Sequence, residues 1–376
     1  MKKRLAKLIS VTLIGAMAVS LAACGEQKAD VSDGGASAKA EAGTDEKTAS
    51  DDVTVGIVVK TATNAHFQDI AYGAMLAGKD LGIKVKVDNT ATEADVEGQI
   101  TKCENMISSG IDALILTAND SNGVSQAVDA AHDAGIPFVT VDTTIENVWG
   151  ESVKEYMPNY IGVNHTDMAY ELAKNVFDKM NGEGEIVILR GVDAASSSQE
   201  RTAGFEKAVA EYEGITVVDS QSAEYDQDTA TTTLSDILQR NKNIKAVLCC
   251  NDLMAVGAVT ALEENNLEVG EDGVLVAGID GNYIALQSIE EGKVYASAYD
   301  WSILQGYYAV QQAYDLIQGK EVPEETFTPD TIITKDNVAE HLDHGKELSQ
   351  WTMGDEITEV SDYMRGYVEL GEGLMN

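Results

Sequence analysis

The stretch "AVLCCNDLMAVGA", residues 246–258, joins an apolar run to a polar pair and then to a second apolar run. The first run reads as a strand, and the second, continuing "LMAVGAVTAL", reads as a helix. Adjacent side chains on a strand point to opposite faces, so Cys249 and Cys250 are poorly placed to chelate one metal together. No third or fourth ligand follows nearby, and each cysteine reads as a small buried apolar residue. The polar chemistry therefore begins at Asn251, which is expected to contact a ligand. Asp252 is expected to be the N-cap of the helix.

The same alternation extends in both directions. "VTVGIVV" (53–59), "ALILTA" (113–118) and "PFVTVD" (137–142) are strand-like. So are "EIVILR" (185–190), "ITVVDS" (215–220), "IKAVLCC" (244–250), "GVLVAGID" (273–280) and "VYASAY" (294–299). Between them, Phe67, Ile70, Ala71, Ala74 and Met75 recur at helical spacing, as do Val96, Ile100, Cys103 and Ile107 ahead of a stop at Gly110. Cys103 is thereby assigned to a core face. Residues 199–212, 228–240, 252–266 and 302–318 are further helical stretches. Strands alternating with helices imply parallel sheets covered on both faces. A folded part of roughly 320 residues exceeds one core, so two domains are expected.

Ligands of open α/β sheets sit beyond the carboxyl ends of the strands. Thr117, Asp142, Asn251, Asp252, Asp280 and Asp300 all fall there, and Arg201 follows the strand "EIVILR" in what reads as a turn. One such aspartate is usually a helix cap; several, spread over both halves, point to a site between two domains.

The N-terminus sets the compartment. Lys2, Lys3, Arg4 and Lys7 precede an uncharged apolar run from Leu8 to Ala23, too short for a stable span and suited to an export signal. "LAACG" (21–25) resembles the bacterial lipobox, with Cys24 as the lipidated residue. Residues 24–52 contain one valine as their only large apolar side chain and are expected to be a disordered tether. The formal charge is −37, and loss of the signal removes basic residues only. A surface this acidic argues against a nucleic-acid partner. Beyond Cys24 only Cys103, Cys249 and Cys250 remain, which is no disulfide framework.

The motifs, in this order, resemble the ribose-binding-like substrate-binding proteins of sugar ABC transporters, periplasmic binding proteins of type I. The matching stretches include "GIVVKTATNAHFQDIAYGA" (56–74), "GIDALILTANDSNGV" (110–124), "AGIPFVTVDT" (134–143), "SSQERTAGF" (197–205), "AVLCCNDLMAVGAVTAL" (246–262), "VAGIDG" (276–281) and "EGKVYASAYD" (291–300). The resemblance runs from about Val53 to about Val322. It implies two doubly wound parallel-sheet lobes joined by three hinge strands that close on one sugar. On that reading residues 1–23 are signal, 24–52 tether, 53–163 plus 301–329 the first lobe, and 164–300 plus 330–376 the second.

Carried over motif by motif, the resemblance implies ligand-binding roles for Asn64, His66, Phe67, Thr117, Asp142, Arg201, Tyr225, Asn251, Asp280 and Asp300. Three of the family's positions differ: Thr143 replaces an arginine, Thr117 an asparagine and Asp300 a glutamine. One cation fewer and one carboxylate more leave pentoses, hexoses, polyols and amine-bearing ligands open. A carboxylate beside Asn or Arg can hold two neighbouring hydroxyls, and Phe67, Tyr225 and Trp301 offer flat partners for a sugar ring.

The implied function is an extracytoplasmic, lipid-anchored, monomeric protein that delivers a small sugar or polyol to an ABC permease. A sensor signalling to a membrane receptor, or a surface glycosidase with two facing carboxylates, are the alternatives. No phosphate loop and no G-x-S-x-G elbow occur, and no cofactor or metal is implied. His341 and His344, three apart, read as a solvated pair. Residues 323–376 exceed the family core and are expected to add a strand and helices to the second lobe.

Overall fold

The computed structural model describes residues 53–375; the expected signal, Cys24 and the tether to residue 52 lie outside them. The first sheet contains β1 (Thr54–Thr61), β2 (Lys84–Thr90), β3 (Ala113–Leu116), β4 (Phe138–Val141) and β5 (Tyr160–Gly162). The second contains β6 (Glu183–Arg190), β7 (Gly214–Ser222), β8 (Ile244–Cys249), β9 (Leu275–Ile279) and β10 (Ala296–Tyr299). Two late strands are divided between them: β11 (Glu325–Phe327) pairs with β5, and β12 (Thr331–Thr334) pairs with β10. The orders are β11-β5-β4-β3-β1-β2 and β12-β10-β9-β8-β6-β7. Pairing is parallel throughout except at β12, which runs antiparallel to β10. This is the two-lobe α/β fold that the sequence implies.

Helices α1 (Ala65–Leu81), α2 (Val96–Ser108), α3 (Ser125–Ala134) and the short α4 (Val153–Tyr156) follow the strands of the first lobe. Helices α5 (His165–Lys179), α6 (Ser196–Val209), α7 (Gln227–Leu238), α8 (Asp252–Glu264) and α9 (Tyr283–Glu290) follow those of the second. The chain then returns through Asp300 and Trp301 into α10 (Ser302–Ile317), which packs lengthwise on α1. Every residue of β1 is buried, as a central parallel strand requires. Its Val55, Ile57 and Val59 enter a cluster with α1 and α10, while Val58 faces Leu114, Leu116 and Cys103 on the other side of the sheet.

β2 has no counterpart among the sequence-predicted strands. "KVKVDNT" is an edge strand, so its polar residues alternate with half-buried ones and the apolar run is missing.

The C-terminal helices depart further from expectation. β12 lies in the second sheet, but α11 (Leu342–Leu348) and α12 (Asp362–Leu374) do not add to the second lobe alone. α11 packs on α9 and also on α1, and α12 packs on α10. Arg365 grips Asp80 of α1 with two nitrogens, at 2.5 and 2.8 Å, and Lys79 donates to the carbonyls of Ile357 and Thr358. His341 and His344 are not solvated: both are buried, His341 Nδ1 lies 2.8 Å from the Tyr367 hydroxyl, and His344 stacks on the Tyr367 ring at 4.0 Å. The sequence could not show this, because Tyr367 arrives from the next helix.

Candidate functional site

The carboxyl ends of the strands in both sheets converge on one buried cavity of about 10 Å³. The first lobe contributes Lys60 from the end of β1, Asn64, His66 and Phe67 from the start of α1, Glu93 after β2 and Asp142 after β4. The second contributes Ser197 and Arg201 from α6, Tyr225 after β7, Asn251 before α8 and Asp280 after β9. Arg201 thus sits within a helix, as the helical stretch 199–212 expects, and not in the turn after β6.

Charge dominates this cavity. Arg201 Nη1 donates to Asp280 Oδ1 at 3.2 Å and to the Cys250 carbonyl at 2.8 Å, and its other terminal nitrogen lies 3.5 Å from Asp300 and 3.8 Å from Asp142. Lys60 Nζ is 3.7 Å from Asp142 and stands over the rings of both Phe67 and Tyr225, at 5.5 and 5.6 Å. His66 lies among three carboxylates: Asp142 at 3.4 Å, Asp300 at 3.5 Å and Asp280 at 3.9 Å. Burial opposes its protonation, but Asp300, Asp280 and Asp142 outweigh burial and hold its pKa well above the ordinary value. Asp142 is pulled the other way: despite burial, Lys60, His66 and His165 keep it well below the carboxylate range.

Two carboxyls are shifted upward. Burial, reinforced by Asp300 and Asp142, raises Asp280 against the pull of His66 and Arg201. Burial pushes Glu93 up to about 7, although Lys60 and the hydrogen bond from Asn64 (3.0 Å) oppose it. A folded-state pKa above the ordinary 4.5 means that the folded chain binds the extra proton between these values, so this stability falls as pH rises through that window. The difference amounts to about 3 kcal/mol. Glu93→Gln should therefore gain about that much relative to wild type between pH 5 and pH 8, read as urea midpoints; parallel pH curves for the two proteins would contradict it.

Three of the cavity's side chains stand on strained backbone. Asp142 (φ 61°), Tyr225 (φ 62°) and Asp280 (φ 123°) all lie in the left-handed region that non-glycine residues seldom occupy. Such strain concentrates at ligand clamps, where surrounding structure over-determines it. Here Asp142 is held by the Thr143 hydroxyl at 2.6 Å, and the Tyr225 hydroxyl lies 3.2 Å from the Ser197 hydroxyl. His165, whose pKa burial and Arg201 lower to about 4, accepts from Arg201 Nε and donates to the Asp142 carbonyl.

The structure brings together nine of the ten sequence-predicted site residues and leaves one out. Thr117 follows β3, fully buried, but does not line the cavity; its carbonyl accepts from Gln99 at 2.8 Å. Asp300 joins through its 3.5 Å approaches to His66 and Arg201. His66 occupies the centre of the charge cluster and not its rim. The identity of the cap after β8 is corrected too. Asn251 is the N-cap of α8, accepting from Met254 N at 3.0 Å, while its side chain also lines the cavity. Asp252 does not cap; it accepts from Asn282 N at 2.7 Å and from the Ser297 hydroxyl, and so braces the turn that carries Asp280.

Lys60, Glu93, Ser197 and Asn282 escaped the sequence reading. Lys60 was signalled weakly, as a charge at the carboxyl end of an apolar strand. Glu93 lies after the unrecognised β2, so nothing local marked it. Asn282 matters because its amide donates to Asn64 Oδ1 at 2.9 Å, while Asn64 Nδ2 lies 3.5 Å from Asp280. These contacts cross between the lobes. His66, Asp142 and Asp300 present atoms within 4.8 Å of one another, a spacing open to a cation. Lys60 and Arg201 already supply counter-charge to the same carboxylates, so hydrogen bonding to hydroxyls suits the group better than metal ligation.

Among the described residues no helix is long and apolar enough to cross a membrane. Residues 55–321 match the model of the periplasmic binding protein domain. The chain is 33% identical over 276 residues to the ribose import binding protein of Bacillus subtilis, covering 73% of this chain and 85% of that protein. A solute-binding protein from Actinobacillus succinogenes with bound D-allose is similar at a TM-score of 0.71 and 30% identity, covering 77% of this chain and 99% of that one. Another, from Bacillus halodurans with bound myo-inositol, is similar at a TM-score of 0.68 and 26% identity, covering 77% of this chain and 97% of that one. With its two-lobe fold and its charged cavity at the strand ends, the chain belongs to the ribose-binding-like periplasmic binding proteins, the extracytoplasmic sugar-binding family of ABC transporters.

Proposed function

We propose that this protein, anchored through a lipid on Cys24, captures a small sugar or polyol between its lobes and delivers it to an ABC permease. The observation that carries this reading is the ring of charged hydrogen-bonding groups from both lobes, closed by Phe67 and Tyr225, around one buried cavity. Asp142 and Asp280 accept from hydroxyls, Arg201, Lys60 and Asn251 donate, and the two rings cover the apolar face of the sugar. A cavity of about 10 Å³ offers about one water's room, so the sugar enters with the lobes apart and closure follows. Ligand bound in this way shifts the open–closed equilibrium, the signal a permease reads.

Thermal unfolding of the detergent-solubilised full chain against pentoses, hexoses, cyclitols and amino sugars tests the class. Saturation at about a hundred times Kd adds about 2.7 kcal/mol. A midpoint raised by one sugar and not by its epimer is the expected result; a midpoint unmoved by every sugar and polyol sinks the reading. Asp280→Ala should then weaken binding of the active ligand about ten- to a hundredfold, the value of a hydrogen bond to a charged group. Calorimetry showing unchanged affinity would remove Asp280 from the site.

A further inference from the structure

A second cavity, of about 160 Å³, lies beside the first, and His66 and Asp280 wall both. Its far side is built by α11, through His344, Leu348 and the exposed Ser349, beyond residue 321 where the family match ends. We propose that this chamber is a second subsite, resting on the sugar-binding reading above, that receives a glycerol-sized hydroxylated substituent, so that the ligand is a substituted sugar and not a free monosaccharide.

The chamber's walls are built for hydrogen bonding. Asp69, 3% exposed, accepts from the hydroxyls of Tyr299 (2.7 Å) and Ser302 (2.8 Å) and lies 3.1 Å from His344 Nε2. His344 Nδ1 and both ring nitrogens of His66, all buried, have no hydrogen-bond partner among the described residues. Buried polar atoms left unsatisfied are costly, and a ligand hydroxyl can both donate and accept. Each carboxylate already has nitrogen-bearing neighbours: His344 beside Asp69, and Arg201 and His66 beside Asp280. With both carboxylates so flanked, an uncharged hydroxylated group suits these walls. Size selects among uncharged groups. At about 160 Å³ the chamber matches a cavity that holds a benzene-sized group of about six heavy atoms, the number in glycerol and about half that of a hexopyranosyl group.

Calorimetry on the detergent-solubilised full chain decides the matter, using the pentoses, hexoses, cyclitols and amino sugars of the thermal panel, each free and as its glyceryl glycoside or ether. The expected result is that a sugar that binds does so at least about tenfold more tightly as the glyceryl glycoside. Ser349→Trp, which fills the chamber from its exposed edge, should erase that gain and leave the Kd of the free sugar within about twofold. A free sugar that binds as tightly as its glycoside, or a gain that survives Ser349→Trp, overturns the subsite while leaving the sugar site standing. Failure of every free sugar and every glycoside to bind overturns both. The wild-type comparison decides even if the tryptophan variant does not fold.

Discussion

Arg201→Ala lowers the stability of the folded chain by about 3–5 kcal/mol, the cost of leaving a buried charge without its partner. Arg201 is 3% exposed and lies within 4 Å of Asp142, Asp280 and Asp300, themselves no more than 3% exposed. Lys60 and His66 remain, but they face the same carboxylates and cannot replace the hydrogen bonds to Asp280 and the Cys250 carbonyl. The loss should depend on pH in a defined sense. Without Arg201, Asp280, whose pKa burial already raises, loses one of the two cations that hold it down. Its protonated form then favours the folded chain at low pH, and stability falls as pH rises through the raised value. Urea unfolding at pH 5 and pH 8 should therefore show a larger deficit at pH 8. A deficit below about 1 kcal/mol at both would mean that the guanidinium does not hold the cluster together.

The second large effect lies away from the cavity, where α1 and α10 cross. A Cβ on Gly306 would stand 1.8 Å from the Ile70 carbonyl oxygen, and one on Gly73 would stand 1.9 Å from the Ile303 carbonyl oxygen. Each glycine lets the other helix's backbone approach, and neither obstacle is a side chain that can swing aside. Gly306→Ala should cost about 3 kcal/mol, at the upper end of ordinary overpacking, because both helices must part. Gly366→Ala in α12 is the control: nothing lies within 4 Å of its Cβ position, and replacing an exposed helical glycine should gain about 0.5–1 kcal/mol. Equal urea midpoints for Gly306→Ala and wild type would show that the helices have room to spare. Trp301 is the N-cap of α10, on the connection that follows Asp300, so the close crossing also fixes where the second lobe's site residues return to the first.

The parts of the fold that depend on local pattern were legible in the sequence. Apolar runs such as "VTVGIVV" and "KAVLCC" identify buried parallel strands because both faces are covered. The residues just after them are marked as site candidates by the geometry of open sheets alone. β2 and the short β5 and β11 were not legible, being at or near sheet edges and too short or too polar to carry a period, while β12 was expected only as an unplaced strand of residues 323–376. The pair Asn251–Asp252 shows the limit of local reasoning. Either residue could cap α8, and the choice falls to Asn251 because Ser297 and the backbone of Asn282, distant in sequence, claim the Asp252 carboxylate.

By itself, the sequence determined the alternation of strand and helix, the two-lobe fold and the family, along with most of the side chains that meet at the strand ends. The alternation and the strand-end residues rest on interactions within one element or on the direction in which a strand ends. The family, and with it Asn64, His66, Phe67 and Tyr225, rests instead on the resemblance of the motifs. Only the tertiary structure decided that Lys60 and Glu93 enter the cavity, that Thr117 stays outside it, and that His341 and His344 are buried under Tyr367. It also decided that the C-terminal helices reach both lobes and wall a second chamber. These outcomes turn on pairs such as Asn64 with Asp280 and Asp69 with His344, far apart in the chain, whose energies depend on distance and burial, and folding alone sets both.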